Sequence, residues 1–122
     1  MALKTEEISV VMWNKIEGAD RHEDMLASEE IVELAYGAKR DKVIFTNKRI
    51  LIINVQGLTG KKVDYHTIPY SKIASFSIET SGTFDLDCEL KLWVSGLAGI
   101  EIKFLKGIDI KEVGRLLASK TM

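Results

Sequence analysis

From position 31 onward, the apolar residues of this chain recur in short runs that are separated by turn residues. Such runs are typical of antiparallel strands joined by hairpins. The pattern predicts strands at 31–38, 42–47, 49–55, 61–68, 73–80, 86–95 and 100–105. Pro69 has no amide hydrogen to donate, so it is expected to end the fourth strand. Asn47 is expected to make a tight reversal before the third strand, because Asn tolerates positive φ.

The last segment has the three-to-four spacing of an amphipathic helix. Residues 110–119 carry one apolar stripe, and Asp109 with Glu112 forms a capping-box-like pair at its start. We therefore predict a carboxy-terminal helix that packs one face against the sheet.

A second helix is predicted at the amino terminus, between an N-cap at Thr5 and Gly18. The prediction rests on apolar residues at helical spacing, namely Ile8, Val11, Met12 and Ile16. On this interpretation residues 1–28 form a helical leader, and residues 29–122 form the main domain.

Period-two alternation makes the third strand apolar on both faces, with Ile50 and Ile52 opposite Leu51 and Ile53. A sheet that is wetted on one side does not need a second apolar face, so something must cover it. The leader folds back over this face, or a second subunit packs there. Alternation also places Trp93 on an otherwise polar strand face. This position favours subunit contact, because Trp is enriched at interface centres.

The composition argues against some classes of function. The 122 residues carry a net charge of -1, which argues against a general nucleic-acid binder that relies on many cationic phosphate contacts. The charge is unevenly spread, with three cationic and eight acidic residues in 1–30, and six cationic and two acidic residues in 41–72. These two segments could pair within one subunit or between neighbours.

The chain gives no sign of secretion. Cys88 is the single cysteine, which favours a reducing compartment. Apolar runs reach only four residues, as at 50–53, far below the roughly 20 that span a bilayer as a helix. Acidic residues interrupt the amino terminus where a signal peptide would be apolar. We therefore expect a cytoplasmic protein.

Three sequence segments resemble the bacterial pleckstrin-homology-like (bacterial PH) domain family. They are FTNKR at 45–49, GKKVDYH at 60–66 followed by IPY at 68–70, and the region 76–101 with its core ETSGTFDLD at 79–87. The resemblance spans about residues 29–119. It implies a mainly β fold, with a seven-stranded bent antiparallel sheet or open barrel capped by a C-terminal helix.

The resemblance also implies cyclic homo-oligomers whose neighbouring sheets present a hydrophilic surface for protein contacts, and it implies no catalytic activity. A longer subgroup of the family adds a helical hairpin after the capping helix. This chain ends at Met122, so the resemblance favours the smaller ring, a pentamer.

Several chemical alternatives are weaker. The carboxylates of Asp85, Asp87 and Glu89 share one strand face, but a flat strand supplies too few oxygens for calcium. The basic residues near 48–49 and 61–62 could attract anionic lipid, although the first hairpin at 39–42 is a tight turn interrupted by an acidic residue. Neither a phosphate-binding loop nor a nucleophile elbow matches the sequence.

The hypothesis from the sequence is a non-enzymatic scaffold that forms a ring and binds an unidentified protein, with no cofactor, metal, nucleic acid or membrane contact expected. The alternative is a weak anionic-lipid or small-ligand binding module of the same fold. The predicted partner-binding residues are Thr46, Asn47, Lys48, Arg49, His66, Tyr70, Asp85, Asp87 and Trp93.

Overall fold

The computed structural model describes residues 7–80, 87–96 and 99–122. The strands are β1 Glu7–Met12, β2 Asn14–Ile16, β3 Val32–Gly37, β4 Lys42–Thr46, β5 Arg49–Gln56, β6 Lys62–Pro69, β7 Ile73–Glu79, β8 Cys88–Val94 and β9 Gly99–Phe104. The helix α1 spans Ile110–Thr121, and short 3-10 helices lie at Asp20–Met25 and Tyr70–Lys72. All seven strands predicted from residue 31 onward are confirmed, as is the carboxy-terminal helix.

The chain divides into two compact units. One unit is Met12–Tyr70 and contains an antiparallel sheet in the order β2-β3-β4-β5-β6. The other joins the segment that ends at Val11 to the segment that begins at Ser71. Its sheet has the order β1-β9-β8-β7.

The predicted amino-terminal helix is wrong, because the described part of this segment forms β1 and β2. Val11, which the helical stripe placed inward, is 42% exposed, whereas Val10 and Met12 are buried. This is the period-two burial of a strand. β-Branched residues favour an extended chain, and β1 pairs at the edge of a sheet next to β9. The proposed N-cap, Thr5, lies outside the described residues.

The central strand β5 is buried on both faces, as the alternation predicted. Ile50, Leu51, Ile52 and Ile53 are each no more than 2% exposed. Leu51 and Ile53 share a buried cluster with Ala19, and Leu26 packs against that cluster. Residues 19–30, which we call the covering segment, therefore cover one face of the five-stranded sheet within a single chain, so this face needs no second subunit.

The four-stranded sheet buries one of its two sets of alternating side chains together with one face of α1. The buried side chains are Leu90, Leu92, Ile100, Ile102, Phe104, Ile110, Val113 and Leu117. The helix lies close to β7 at Gly114, where a Cβ atom would be only 3.3 Å from Cγ1 of Ile78.

Asp109 begins α1 as predicted. Its side chain accepts a hydrogen bond of 3.1 Å from the amide of Lys111. This bond satisfies one of the amide groups that have no partner in the first turn of a helix.

We expect Asp109→Ala to lower the free energy of unfolding by about 1 kcal/mol, because it removes this cap. Urea denaturation followed by circular dichroism measures the change. Lys111→Ala, which alters an exposed side chain and keeps the capped amide, is the matched control. Equal stability of the two variants would contradict the capping role.

Candidate functional site

The FTNKR segment connects β4 to β5, and its side chains fix the covering segment. Thr46 is fully buried at the end of β4. Its Oγ1 accepts hydrogen bonds of 3.0 Å from the amides of Lys48 and Arg49, and it donates one of 2.6 Å to Oε2 of Glu30. One hydroxyl thus closes the hairpin and reaches the covering segment.

Asn47 makes the next connection. Its Oδ1 accepts a hydrogen bond of 2.7 Å from the amide of Ile31, and its Nδ2 donates one of 3.2 Å to the carbonyl of Glu29. The tight reversal at Asn47 is confirmed, but the expected positive φ is wrong, because the non-glycine residues with positive φ in the described chain are Asp20 and Glu29. The Thr46 hydroxyl and the Asn47 amide stabilise this turn instead.

Glu30 is the residue around which these contacts converge. Its side chain is 1% exposed. Arg49 donates from Nε to Oε2 at 2.8 Å and from Nη2 to Oε1 at 3.0 Å. The amide of Ala27 donates to Oε1 at 2.9 Å. With the Thr46 hydroxyl, each carboxylate oxygen accepts two hydrogen bonds, which is the arrangement that makes a buried charge tolerable.

Arg49 extends the network to two further elements. Its Nη2 also donates to the carbonyl of Met25 at 2.7 Å, and its Nη1 donates to Oγ1 of Thr67 at 2.8 Å. A lysine has one ammonium and could not reproduce this planar set of donors. Arg49 therefore joins the covering segment to β5 and β6.

The electrostatics agree with this geometry. The hydrogen bonds from Arg49 lower the pKa of Glu30 to about 2, with Thr46 and Ala27 acting in the same direction and burial opposing them. A carboxylate with so low a pKa has no proton to donate near neutrality and is a weak proton acceptor. The arrangement is therefore suited to fastening the covering segment rather than to acid–base catalysis.

The other predicted site residues occupy several places. Tyr70 is buried and donates from its Oη to the carbonyl of Thr46 at 2.6 Å; burial and the charges of Glu33 and Glu30 raise its pKa. His66 is half-buried on β6 opposite Ile52. The two therefore lie in the same unit as the FTNKR turn.

Lys48 is exposed at the tip of the turn. Asp87 is also exposed, and its Oδ1 accepts from the amide of Lys106 at 3.2 Å. Asp85 lies outside the described residues. Trp93 is 44% exposed on β8, on the outward side that alternation predicted. The role of all nine residues in binding a partner stays a prediction.

Sequence reasoning missed Glu30 and His22. Nothing in the sequence separates the buried Glu30 from the exposed Glu29 beside it. His22 is buried, its Nδ1 lies 2.8 Å from Oη of Tyr65, and the two rings meet edge to face. Burial lowers the pKa of His22, followed by the charges of Lys42 and Arg21, while Asp20 and Asp24 act in the opposite direction.

Open cavities lie in each of the two units of the described chain. One, of about 220 Å³, lies beside Trp93 on the four-stranded sheet. Another, of about 270 Å³, lies in the unit of the five-stranded sheet and is lined by Arg21, His22, Lys39, Arg40 and Lys42 together with the 55–60 turn. Across the described ranges, no three His, Cys, Asp or Glu side chains come together as metal ligands.

Comparison with known proteins identifies the family. A family model described as Bacterial PH domain matches residues 4–121. The chain belongs to the bacterial PH domain family. This membership confirms the resemblance, and the strand order followed by one helix is that of a PH-like fold.

The chain is 43% identical over 100 residues to the uncharacterized protein YjqA of Bacillus subtilis (strain 168), with 80% of each chain covered. A DUF1696 family protein with a pleckstrin-homology domain from Shewanella loihica PV-4 superposes with a TM-score of 0.76 at 42% identity, covering 85% of this chain and 90% of that chain. A pleckstrin homology domain from Shewanella amazonensis SB2B gives a TM-score of 0.68 at 42% identity, covering 85% of each chain. None of the helices in the described part of the bacterial PH domain is long and apolar enough to cross a membrane.

The low pKa of Glu30 predicts a specific acid sensitivity. Its folded-state pKa of about 2 lies below the ordinary value of 4.5. The Glu30–Arg49 pair therefore makes its full contribution to the free energy of unfolding above pH 4.5, and this contribution is lost as the pH falls toward 2. Over this window the contribution is about 3 kcal/mol. Urea unfolding at a series of pH values should show this loss in the wild type and not in Glu30→Gln.

Glu29→Gln is the matched control, since it changes the neighbouring exposed carboxylate. It should keep the wild-type pH profile. If Glu30→Gln and the wild type lost stability in parallel between pH 4.5 and 2.5, the assignment of this acid sensitivity to Glu30 would be wrong.

Proposed function

We propose that this bacterial PH domain is a non-enzymatic protein-interaction module that assembles into a cyclic homo-oligomer through the outer face of its four-stranded sheet. The observation that carries the proposal is the position of Trp93, a half-exposed indole on an otherwise polar face of β7 and β8. Trp is among the residues that contribute most binding free energy at protein interfaces.

The strand register defines this outer face. Trp93 lies opposite Ser75, Lys91 opposite Ser77 and Glu101, and Glu89 opposite Glu79 and Lys103. The ammonium of Lys91 is 3.4 Å from the carboxylate of Glu79 and 3.9 Å from that of Glu89. The face is therefore hydrophilic, with both signs of charge interspersed.

This face is not flat, because an open cavity lies beside Trp93. Ile8 and Ser9 of β1 line it together with Gly99 and Glu101 of β9. An indole next to a depression suits an interface in which an aromatic side chain of one copy fills a recess of the next. A ring requires this patch to contact a different surface of the next copy, because head-to-tail contacts can close on themselves.

The charges on this face favour association with a second copy over binding to a partner that is only acidic or only basic. The paired residues of this face include the carboxylates of Glu79, Glu89 and Glu101 and the ammonium groups of Lys91 and Lys103, so a second copy presents charges of both signs. The described members of the predicted site that are exposed are Lys48, Asp87 and Trp93. A ring of five, which the family resemblance implies, is the proposed assembly, and the single Cys88 supports a cytoplasmic location for it.

Light scattering coupled to size-exclusion chromatography tests this proposal. The wild type should have a mass about five times the 13.7 kDa of one chain. Trp93→Lys places a charge at the centre of the contact and should shift the protein to a monomer. Trp13→Lys is the matched control, because Trp13 is 46% exposed and belongs to the other unit.

A wild-type mass of 13.7 kDa would contradict the proposed assembly. An unchanged mass in Trp93→Lys would show that the assembly does not use the face around Trp93. Circular dichroism of both variants confirms that they remain folded, so that a change in mass reports on association.

A further inference from the structure

We propose that His22 is a pH-sensitive switch, and that its protonation between about pH 7 and pH 5 releases residues 19–24 of the covering segment from the five-stranded sheet. The imidazole joins the covering segment to β6. Its Nδ1 lies 2.8 Å from Oη of Tyr65, and the two rings meet edge to face with centroids 5.5 Å apart. Tyr65 packs against the buried cluster that contains Leu51 and Ile53, so the contact lies where the covering segment meets the sheet.

The surroundings of His22 accommodate a neutral ring but not a charged one. The residue is 4% exposed, and its Nε2 is buried with no hydrogen-bond partner among the described residues. Protonation would give both ring nitrogens an N–H group. The Tyr65 hydroxyl can accept from Nδ1, whereas the N–H of Nε2 would be a buried, charged donor without an acceptor. Such a donor is costly to bury.

Positive charge surrounds the ring. His22 lines the cavity of about 270 Å³, here called the basic cavity, and the described lining residues include no carboxylate. The 55–60 turn carries no charged residue. Like charges disfavour the protonated imidazole. The cations that line the basic cavity are Arg21 of the covering segment, Lys39 and Arg40 of the turn between β3 and β4, and Lys42 of β4.

The acidic groups near His22 offset these cations only in part. Asp20 and Asp24 lie within two residues of His22 and favour the charged ring. Asp20 also approaches Lys42, whose ammonium lies 3.9 Å from its Oδ2. Glu23 accepts a hydrogen bond of 2.9 Å from a backbone amide of the same segment.

The balance of these groups sets the direction of the switch. Burial, followed by the charges of Lys42 and Arg21, holds the pKa of His22 below its ordinary value of 6.5. Release returns the ring to water, where its pKa is about 6.5. The attached segment is therefore fully favoured above pH 6.5, and it loses this preference as the pH falls below 6.5. Glu30, with a pKa of about 2, stays ionised throughout this range.

The backbone adds to the tendency of the segment to open. Asp20 and Glu29, near its two ends, have φ angles of 53° and 66°. L-residues rarely adopt this left-handed region, and such conformations persist only while surrounding contacts impose them. Arg49 holds the later part of the segment through the carbonyl of Met25 and the carboxylate of Glu30. The earlier part, residues 19–24, is therefore the part that His22 controls.

Native-state hydrogen exchange, followed by NMR on the intact protein between about pH 7 and pH 5, tests the switch. The amide of His22, which donates to the carbonyl of Ala19 at 3.0 Å, reports on the released part. After correction for the intrinsic pH dependence of exchange, its opening constant should rise below pH 6.5, approaching about tenfold per pH unit for uptake of one proton. The amide of Ala27, held by Glu30 at 2.9 Å, should show no such rise.

Three variants assign the response. His22→Phe keeps an aromatic ring beside Tyr65 and cannot be protonated, so exchange at residue 22 should lose its pH dependence. Lys42→Gln removes a cation that disfavours the charged ring and should reduce the response. His66→Gln is the matched control, because it removes the second of the two histidines in the chain and should keep the wild-type response.

Several outcomes would overturn the proposal. Exchange at His22 that is independent of pH in the wild type would show that no switch operates. A wild-type response that persists in His22→Phe, or one that disappears in His66→Gln, would assign the proton to another group. If circular dichroism shows that His22→Phe is unfolded, Lys42→Gln decides the question, and an unchanged response in that variant would contradict the proposed role of the surrounding cations.

Discussion

The buried ion pair between Glu30 and Arg49 is the interaction on which the arrangement of the Met12–Tyr70 unit depends. Two hydrogen bonds, one to each carboxylate oxygen, join the side chains, and the Thr46 hydroxyl and the Ala27 amide also donate to the carboxylate. Isolated charges are costly to bury, so a fully satisfied pair of this kind specifies one position of the covering segment. With that position fixed, Ala19 lies in the buried cluster that contains Leu51 and Ile53 of β5.

This constraint separates the roles of the two units. In Met12–Tyr70, the FTNKR turn is occupied by contacts within the chain, and covering β5 by residues 19–30 removes the need for a second subunit there. The reason to propose self-association is therefore confined to the other unit, where Trp93 lies on a polar sheet face. The same covering segment brings Arg21 and His22 to the basic cavity.

The sequence predicted what depends on local pattern and missed what depends on distant contacts. Seven strands and α1 followed from alternation, turn residues and the cap at Asp109. The amino-terminal helix was wrong because pairing beside β9, at the other end of the chain, decides the conformation of β1. Glu30 and Glu29 are indistinguishable by residue type, and only the approach of Arg49 makes one of them a buried anchor. The basic cavity combines three segments, so no single motif encoded it.

A double-mutant cycle between Glu30 and Arg49 tests the central claim most directly. The free energies of unfolding of the wild type, Glu30→Gln, Arg49→Met and the double variant would be measured by urea denaturation at pH 7. A fully hydrogen-bonded buried pair predicts a coupling free energy of about 2–3 kcal/mol. A coupling free energy near zero would show that the two side chains do not stabilise one another, and that something other than this pair holds the covering segment on the sheet.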